Sequence, residues 1–328
     1  MIRPIPSGTR DVLPDEMREL RAISEPLRAT FERYGYGEVY TPALEYESTL
    51  ATAVQAGVDP SLSGARPAYR LFDENGEVLV LRSDMTIPIA RVAATRYAGS
   101  QPPLRFCYLA HAYRGVRPQR GQPREFLQAG IELIGSPAPE GTAEALTVLC
   151  AALDDTGLES YRVGMGDAGL YPALLDSFGV PDGARTTLMN ALVRRDFVAL
   201  EHEIAGLGLA SEAAALLVEI PQRRGGADVL SAPDSPAADA VGRMARVRDL
   251  LDERVGERII FDLGLTRGLG YYTGAVFEVY DPALGAPLGG GGRYDDLLAR
   301  FGRPLPAVGF GLNVERLHLA LTGEERYR

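Results

Sequence analysis

Apolar positions near the start of the chain repeat at helical spacing. Between residues 14 and 34 they recur every three or four positions, as Met17, Leu20, Ile23, Leu27, Phe31 and Tyr34. Pro14 suits the first turn of a helix, and Gly35 and Gly37 suit its end. The pattern predicts a helix over residues 14–34. Because Pro26 has no backbone donor, we expect it to kink this helix or loosen its middle.

Short strands and helices follow in the first half of the chain. Runs of strand-forming residues predict strands over residues 38–44, 78–81, 104–113 and 125–134. Helical spacing predicts helices over residues 84–97, with Ser83 or Asp84 near the cap, and over residues 143–154. The last two strands flank a loop rich in Arg, Gln, Gly and Pro, which is typical of a long β-hairpin.

The residue composition and the spacing of apolar positions change in the second half of the chain. Residues 167–253 are rich in Ala and Leu at helical spacing, with breakers at Gly225-Gly226 and at residues 231–236, and we interpret them as a helical insertion. Strands are predicted again over residues 258–263 and 271–280. The four consecutive glycines at residues 289–292 predict a glycine-rich turn, and a last helix is predicted from about Asn313.

Size and composition indicate a globular protein. A chain of 328 residues with 46% hydrophobic and 24% charged residues suggests two domains, or one large domain with an insertion. The formal charge is −10, from 34 basic and 44 acidic residues. Proteins that grip nucleic acid usually present a broad basic face, so this balance counts weakly against tRNA as the main partner.

Several other classes receive no support from the sequence. The longest apolar stretch, residues 145–153, is too short to cross a bilayer, and the N-terminus lacks the apolar core of a secretory signal. Cys107 and Cys150 have neither metal-site nor disulfide-framework spacing, so we expect two small buried residues in a reducing cytoplasm. The three histidines lie far apart, and no metal or other cofactor is expected.

The strand at residues 125–134 has two faces. Alternation places Leu127, Ala129, Ile131 and Leu133 on an apolar face that would pack on helices. The opposite face carries Gln128, Gly130 and Glu132. An amide and a carboxylate around a glycine leave room to hydrogen-bond a small ligand. A solvent-exposed strand face explains the same pattern equally well.

Two arginine-containing segments offer cations for an anionic ligand. Residues 114–124 hold four arginines, at positions 114, 117, 120 and 124, and Arg suits carboxylates and phosphates. Arg267 lies among glycines beside Tyr271 and Tyr272, so it could clamp a ligand against an aromatic wall. The alternatives are a solvated basic turn and a surface arginine in a flexible turn. The chain has no G-x-S-x-G elbow and no P-loop.

Taken together and in order, these segments resemble the class II aminoacyl-tRNA synthetase core, in the histidyl-tRNA synthetase lineage. The segment around Pro42 resembles motif 1, residues 106–132 with Arg114 resemble motif 2, and residues 307–317 with Arg316 resemble motif 3. Residues 266–272 resemble the histidine-specific element of that lineage. The resemblance covers nearly the whole chain apart from the helical insertion.

The resemblance implies a role for each position of a histidine site. Arg267 matches the position that approaches the histidine carboxylate, Gln128 the one that meets the ammonium group, and Glu132 the one that meets the imidazole. Asp84 and Thr86 match the element that helps to hold the ammonium, and Tyr271 and Tyr272 match the wall of the imidazole pocket. The histidine-binding set is therefore expected to be Asp84, Thr86, Arg114, Gln128, Glu132, Arg267, Tyr271 and Tyr272.

The sequence also departs from the synthetases. Eleven residues follow Leu317, so we expect no anticodon-binding domain, which would need on the order of 100 residues. Val116 stands where the synthetase places a glutamate that helps to hold adenine, and valine cannot accept that hydrogen bond. Asp84 replaces a glutamate, and Gly270 replaces an acidic residue.

Retained histidine recognition with eroded recognition of adenine and tRNA resembles the regulatory subunits of short-form ATP phosphoribosyltransferase. That family implies a chain without catalysis of its own, which pairs with a short catalytic subunit needing it for activity. It binds histidine for feedback control of the first step of histidine biosynthesis. The resemblance also implies a homodimer within a hetero-oligomer, with no tRNA or membrane partner.

The implied fold is α+β. We expect an antiparallel sheet flanked by helices, with residues 1–166 and 254–328 as the core and residues 167–253 as the helical insertion. Two alternatives stay open. Because Arg114, Arg267 and Arg316 are retained, the chain could still form histidyl adenylate for tRNA or another acceptor. It could also be a scaffold for assembly whose pocket has drifted to another small ligand.

Overall fold

The structure is a computed structural model, and it describes residues 5–53, 68–115, 123–231, 236–267 and 270–327. Val116 and most of the predicted breaker at residues 231–236 lie outside the described residues.

Helices and strands alternate along the chain. The strands are β1 (Gly37–Glu38), β2 (Leu44–Tyr46), β3 (Arg70–Phe72), β4 (Val78–Leu81), β5 (Leu104–Tyr113), β6 (Glu125–Ile134), β7 (Arg162–Asp167), β8 (Arg224–Gly225), β9 (Ile259–Asp262), β10 (Ala275–Asp281), β11 (Leu284–Arg293) and β12 (Ala307–Asn313). The α-helices are α1 (Pro14–Arg33), α2 (Glu47–Ala53), α3 (Thr86–Thr95), α4 (Glu140–Asp155), α5 (Leu170–Ser177), α6 (Asp182–Val193), α7 (Phe197–Ala205), α8 (Ser211–Glu219), α9 (Ala238–Arg248), α10 (Glu253–Gly256) and α11 (Val314–Tyr327). No helix in the described ranges is both long and apolar enough to cross a membrane.

Nine strands form the main sheet, in the order β1-β5-β6-β12-β11-β10-β7-β9-β8. β1 pairs with β5 and β7 with β9 in parallel, and the other neighbours are antiparallel. A separate antiparallel sheet has the order β2-β4-β3. The predicted α+β class is confirmed, and the hairpin of β5 and β6 has the predicted bounds.

One face of β6 packs against helices, and the other faces a cleft. Ala129, Ile131 and Leu133 are buried in one apolar core, and Leu127 packs at its margin. Helices α1, α4 and α11 cover this face of the sheet. The opposite face turns Gln128 towards an open cleft. Burying the apolar face under three helices therefore fixes which β6 side chains remain available for a ligand.

The strand predicted over residues 38–44 is two strands in different sheets, β1 and β2. Strand pairing is interrupted between them at Pro42, which has no N–H to donate to a neighbouring strand. The buried guanidinium of Arg82 binds the carbonyl groups released there, at 2.5 Å from Thr41 O and 3.1 Å from Pro42 O. One buried cation thus holds the turn that separates the two sheets.

The glycine-rich turn predicted at residues 289–292 is wrong, because these glycines form the centre of β11. The neighbouring strands leave no space for side chains at these positions. A Cβ on Gly291 would overlap Gly309 O and lie 2.7 Å from Phe310 Cα, and one on Gly292 would lie 2.7 Å from Ala275 O. Close packing of strands therefore explains this run better than backbone freedom does.

Smaller differences concern element boundaries. Helix α1 continues through Pro26, since Leu20, Ile23, Leu27 and Phe31 anchor both halves in the core. β10 begins at Ala275 instead of residue 271, which leaves Tyr271 and Tyr272 outside the ladder. Asp84 acts as expected at the start of α3, where its Oδ1 accepts the N–H of Ile87 at 3.3 Å.

Residues 170–248 are mainly helical, with α5 to α9 between β7 and β9. The short strand β8, at the predicted Gly225-Gly226 breaker, pairs with β9 at the edge of the main sheet. Apolar residues of these helices, such as Leu188 and Leu200, belong to the same buried cluster as Phe31. The division of the chain at residues 167 and 253 stays a prediction. Cys107 and Cys150 are both buried and unpaired, as expected.

We predict that Gly291→Ala destabilises the fold. Its Cβ would overlap the backbone of β12, so the strands must separate locally, and we expect the free energy of unfolding to fall by about 3 kcal/mol. Urea denaturation measures this change. The matched control is Gly285→Ala in the same strand, where a Cβ meets nothing within 4 Å. Equal stability of the two variants would contradict the packing explanation.

Candidate functional site

A cleft of about 480 Å³ opens on the polar face of the main sheet. This volume is in the usual range for small-molecule sites. It lies between α3, β6, the segment before β10 and the glycine-rich strands β11 and β12. Seven of the eight residues expected from the sequence line it: Asp84, Thr86, Arg114, Gln128, Arg267, Tyr271 and Tyr272. The structure therefore brings together residues that are up to 188 positions apart in the chain.

Glu132, the eighth expected residue, lies behind the cleft wall. Its side chain is buried, with Oε1 accepting the hydroxyl of Thr86 at 2.7 Å and Oε2 accepting the hydroxyl of Tyr294. Burial raises the pKa of this carboxyl to about 8, although both hydroxyl groups act to lower it, and nearby Asp84 adds to the rise. Glu132 thus holds Thr86 and Tyr294 in place from below.

Gln128 carries an unsatisfied acceptor. Its Oε1 atom is buried and has no hydrogen-bond partner among the residues that the structure describes. The amide lies across Gly311 of β12, where a Cβ would overlap Nε2. A buried amide oxygen without a partner costs about 1–3 kcal/mol. An N–H donor from a ligand would therefore form a stabilising hydrogen bond with this oxygen.

Asp84 supplies a second acceptor near the start of α3. Burial raises the pKa of its carboxyl, and the N–H groups of Ile87 and Thr86 and the charge of Arg114 oppose that rise. An arriving ammonium group would favour the ionised form. Asp84 and Gln128 together offer oxygen acceptors to a cationic group.

Arg267 is held in a fixed position at the cleft. Its Nη1 donates to Phe277 O at 3.1 Å, and its guanidinium lies 5.8 Å from the centroid of the Tyr272 ring. Gly290 makes this position possible, since a Cβ there would overlap Nη1. A cation anchored in this way is suited to bind a carboxylate.

Three tyrosines form an aromatic wall. The rings of Tyr271 and Tyr272 have centroids 4.9 Å apart, and those of Tyr271 and Tyr294 lie edge to face at 5.7 Å. Tyr271 and Tyr294 are buried, so the wall is rigid. A flat ring could stack against it.

The other end of the cleft is basic. Arg114 lies 4.5 Å from the centroid of the Phe126 ring. The Arg316 guanidinium donates to Pro287 O, and its backbone N–H donates to Asn313 Oδ1 at 2.8 Å. The lost adenine contact expected at Val116 lies outside the described residues and stays a prediction. Among those described, no group of three His, Cys, Asp or Glu residues is arranged to hold a metal ion.

Sequence reasoning missed several lining residues. Tyr108 faces Gly130 in the register of β5 and β6, so a symmetric pairing of the predicted hairpin would have found it. Tyr294 was hidden by the interpretation of the preceding glycines as a turn. Arg194 and Glu278 carry no local signal, because the end of α6 and β10 reach the cleft only through the tertiary fold.

The chain is similar to known proteins over nearly its whole length. The histidyl-tRNA synthetase family matches residues 8–317. The ATP phosphoribosyltransferase regulatory subunit of Symbiobacterium thermophilum is 42% identical over 332 residues, covering 96% of this chain and 79% of that protein. The protein of the same name from Desulforamulus reducens is 39% identical, covering 96% and 78%. A crystal structure described as an ATP phosphoribosyltransferase regulatory subunit/histidyl-tRNA synthetase from Bacillus halodurans C has a TM-score of 0.87 at 32% identity, covering 98% and 84%.

We predict that Glu132 makes the protein less stable as the pH rises. Its pKa is about 8 in the folded chain and near the ordinary value of 4.5 when unfolded. Between these values the folded state keeps a proton that the unfolded state has lost, so raising the pH favours unfolding, by up to about 1.4 kcal/mol per pH unit. This contribution is fully present below the lower value and lost above the higher one.

Urea denaturation from about pH 5 to about pH 9 tests this pH dependence. Glu132→Gln should show a smaller loss of stability over the range, because the amide does not titrate. The control is Glu74→Gln, which removes an exposed carboxylate in the turn between β3 and β4 and should keep the wild-type slope. The same slope in Glu132→Gln would show that this carboxyl does not titrate there.

Proposed function

Because the chain belongs to the family of ATP phosphoribosyltransferase regulatory subunits, we propose that it binds histidine and regulates a short catalytic subunit of that enzyme. In this role it controls the first step of histidine biosynthesis and acts in the cytoplasm. The chain is not itself the catalyst, and the catalytic subunit needs it for activity. Histidine regulates the complex by binding its two conformations with different affinity.

The observation that carries the histidine assignment is the placement of an unsatisfied acceptor and an anchored cation in one cleft. Gln128 Oε1 lacks a donor, and Arg267 presents a guanidinium. The ammonium group of an α-amino acid would satisfy Gln128 and Asp84, and its carboxylate would bind Arg267. Arg114, at the other end of the cleft, adds a second positive charge.

The aromatic wall suits the imidazole ring. Tyr271 and Tyr272 would contact its faces, and Thr86 offers a hydroxyl at the floor of the cleft. Glu132 would support the ring through Thr86 and Tyr294, since its own carboxyl lies behind them. This indirect role differs from the direct contact that the resemblance implies.

A homodimer through the small sheet fits an exposed apolar surface there. Tyr40 is 85% exposed and Phe72 is 74% exposed, and Leu44, Tyr46 and Leu71 are also exposed. Leu44, Tyr46 and Leu71 lie on one face of the small sheet, and an exposed apolar face of this kind marks an interaction site. Because the segment around Pro42 resembles motif 1, through which the synthetase family dimerises, we assign this surface to a second copy of the chain.

We predict that Arg267→Gln weakens histidine binding at least tenfold, since the carboxylate loses a charge-assisted partner worth about 1.5–3 kcal/mol. Gln128→Ala should act in the same direction through the ammonium group. Isothermal titration calorimetry of the purified chain measures both. Arg248→Gln, which removes an exposed arginine paired with the adjacent Asp249, is the control and should leave the affinity unchanged.

Two results would contradict the assignment. Unchanged histidine affinity in both cleft variants would place the site elsewhere. Histidine-dependent exchange of pyrophosphate into ATP by the wild-type chain would instead revive a histidine-adenylating enzyme.

We predict that Leu71→Glu lowers the molar mass of the chain in solution from that of a dimer to that of a monomer, because it places a charge in an apolar interface. Light scattering after size-exclusion chromatography measures the mass. Val198→Glu is the matched control, since Val198 is 81% exposed but lies on α7 in the helical insertion. If both variants remain dimers, the small sheet is not part of the dimer interface.

A further inference from the structure

Arg267 has an acidic neighbour that connects the cleft to a tyrosine further along β10 on the same face of the sheet. Glu278 lines the cleft from β10, with its Oε1 atom 4.0 Å from Arg267 Nε. Its Oε2 atom accepts the hydroxyl of Tyr280, a residue that does not line the cleft. Glu278 is thus shared between the cation of the proposed ligand site and a tyrosine outside it.

Tyr280 in turn lies beside the segment that follows β9. Its ring packs over Gly164, where a Cβ would lie 3.3 Å from Cε2, next to Leu265. Leu265 donates its backbone N–H to Asp262 O at 3.1 Å, and Asp262 pairs with Arg195 in the turn between α6 and α7. Burial raises the pKa of Tyr280, and the charge of Arg195 acts against that rise. Arg195 belongs to the helical insertion.

Arg195 ties this turn to the strand that leads to Arg267. Its Nη2 donates to Asp262 Oδ2 at 2.8 Å, and Asp262 Oδ1 accepts the N–H of Gly264 at 3.0 Å. Arg195 has φ of 54°, a left-handed conformation that a non-glycine residue adopts at a cost. The ion pair therefore joins this turn to the end of β9.

The same turn reaches into the cleft. Val193 and Arg194 line it, and within the described parts of the chain the Arg194 guanidinium has no hydrogen-bond or ion-pair partner. A ligand in the cleft would thus face the helical insertion directly as well as through Arg267.

Building on the proposed histidine site, we propose that Glu278 is a positioning residue for Arg267 and that Glu278, Tyr280, Arg195 and Asp262 couple occupancy of the cleft to the helical insertion. A ligand carboxylate that binds Arg267 draws this cation from Glu278. The Glu278–Tyr280 pair then rearranges beside Arg195, and the turn between α6 and α7 adjusts. The helical insertion is therefore the element whose position reports histidine.

Hydrogen exchange of the full chain, with and without saturating histidine, tests the coupling. We expect histidine to slow amide exchange in residues 182–205, which cover α6 and α7, by about fivefold or more. Tyr280→Phe should reduce this difference to less than about twofold while the histidine affinity stays within about threefold of wild type, because Tyr280 does not touch the ligand. If Tyr280 had only a structural role, Tyr280→Phe would change amide exchange by the same factor with and without histidine.

Histamine, which lacks the carboxylate, tests the first step. It should bind the cleft without slowing exchange in residues 182–205, because it leaves Arg267 beside Glu278. The control variant is Arg248→Gln, which removes a pair with the adjacent Asp249 outside residues 182–205 and should keep the full histidine response.

The outcomes separate this proposal from the proposed function. If the wild-type chain does not bind histidine by calorimetry, both fail. If histidine binds but exchange in residues 182–205 does not change, or changes equally in Tyr280→Phe, only the coupling is overturned. If histamine slows exchange in residues 182–205 as much as histidine does, the coupling does not begin at Arg267 and Glu278.

Discussion

Polar side chains at the floor of the cleft and directly behind it lie flat across glycines of neighbouring strands. Gln128 crosses Gly311, Glu132 crosses Gly309, and Arg267 crosses Gly290, and at each glycine a Cβ would overlap the side chain above it. A sheet with ordinary residues at these places would push the same side chains upwards into the ligand space. The recognition groups, the volume above them and the spacing of the strands thus depend on one steric constraint.

Features that depend on local sequence signals could be predicted, whereas features that depend on this steric constraint could not. The hairpin of β5 and β6 was predictable because strict alternation and a loop between two long strands are local signals. The alternation in β6 placed Gln128 and Glu132 on one polar face, but by itself it did not decide between a ligand pocket and a solvent-exposed face. The strand role of the glycines at residues 289–292 was not predictable from propensity, since it depends on how closely β10 and β12 approach. Likewise, the burial of Glu132 behind Thr86 depends on Tyr294, which arrives from a distant strand.

The site combines firm and adaptable parts. Arg267, the tyrosine wall and the Glu132 pair are held by carbonyl groups, ring contacts or hydroxyl groups. Asp84 and Gln128 instead carry a raised pKa or an unsatisfied oxygen, both of which a cationic ligand would relieve. Binding energy gained at these two residues is available to shift a conformational equilibrium, which a regulatory subunit needs and a rigid structural protein does not.

Reconstitution with a short ATP phosphoribosyltransferase catalytic subunit tests the central claim most directly. The rate of phosphoribosyl transfer to ATP would be followed as histidine is added, with each complex normalised to its own rate without histidine. The account predicts that the wild-type complex is inhibited and that the Gln128→Ala complex needs about tenfold more histidine for half inhibition. Equal inhibition of both complexes, or a catalytic subunit whose activity and histidine response do not depend on this chain, would contradict it.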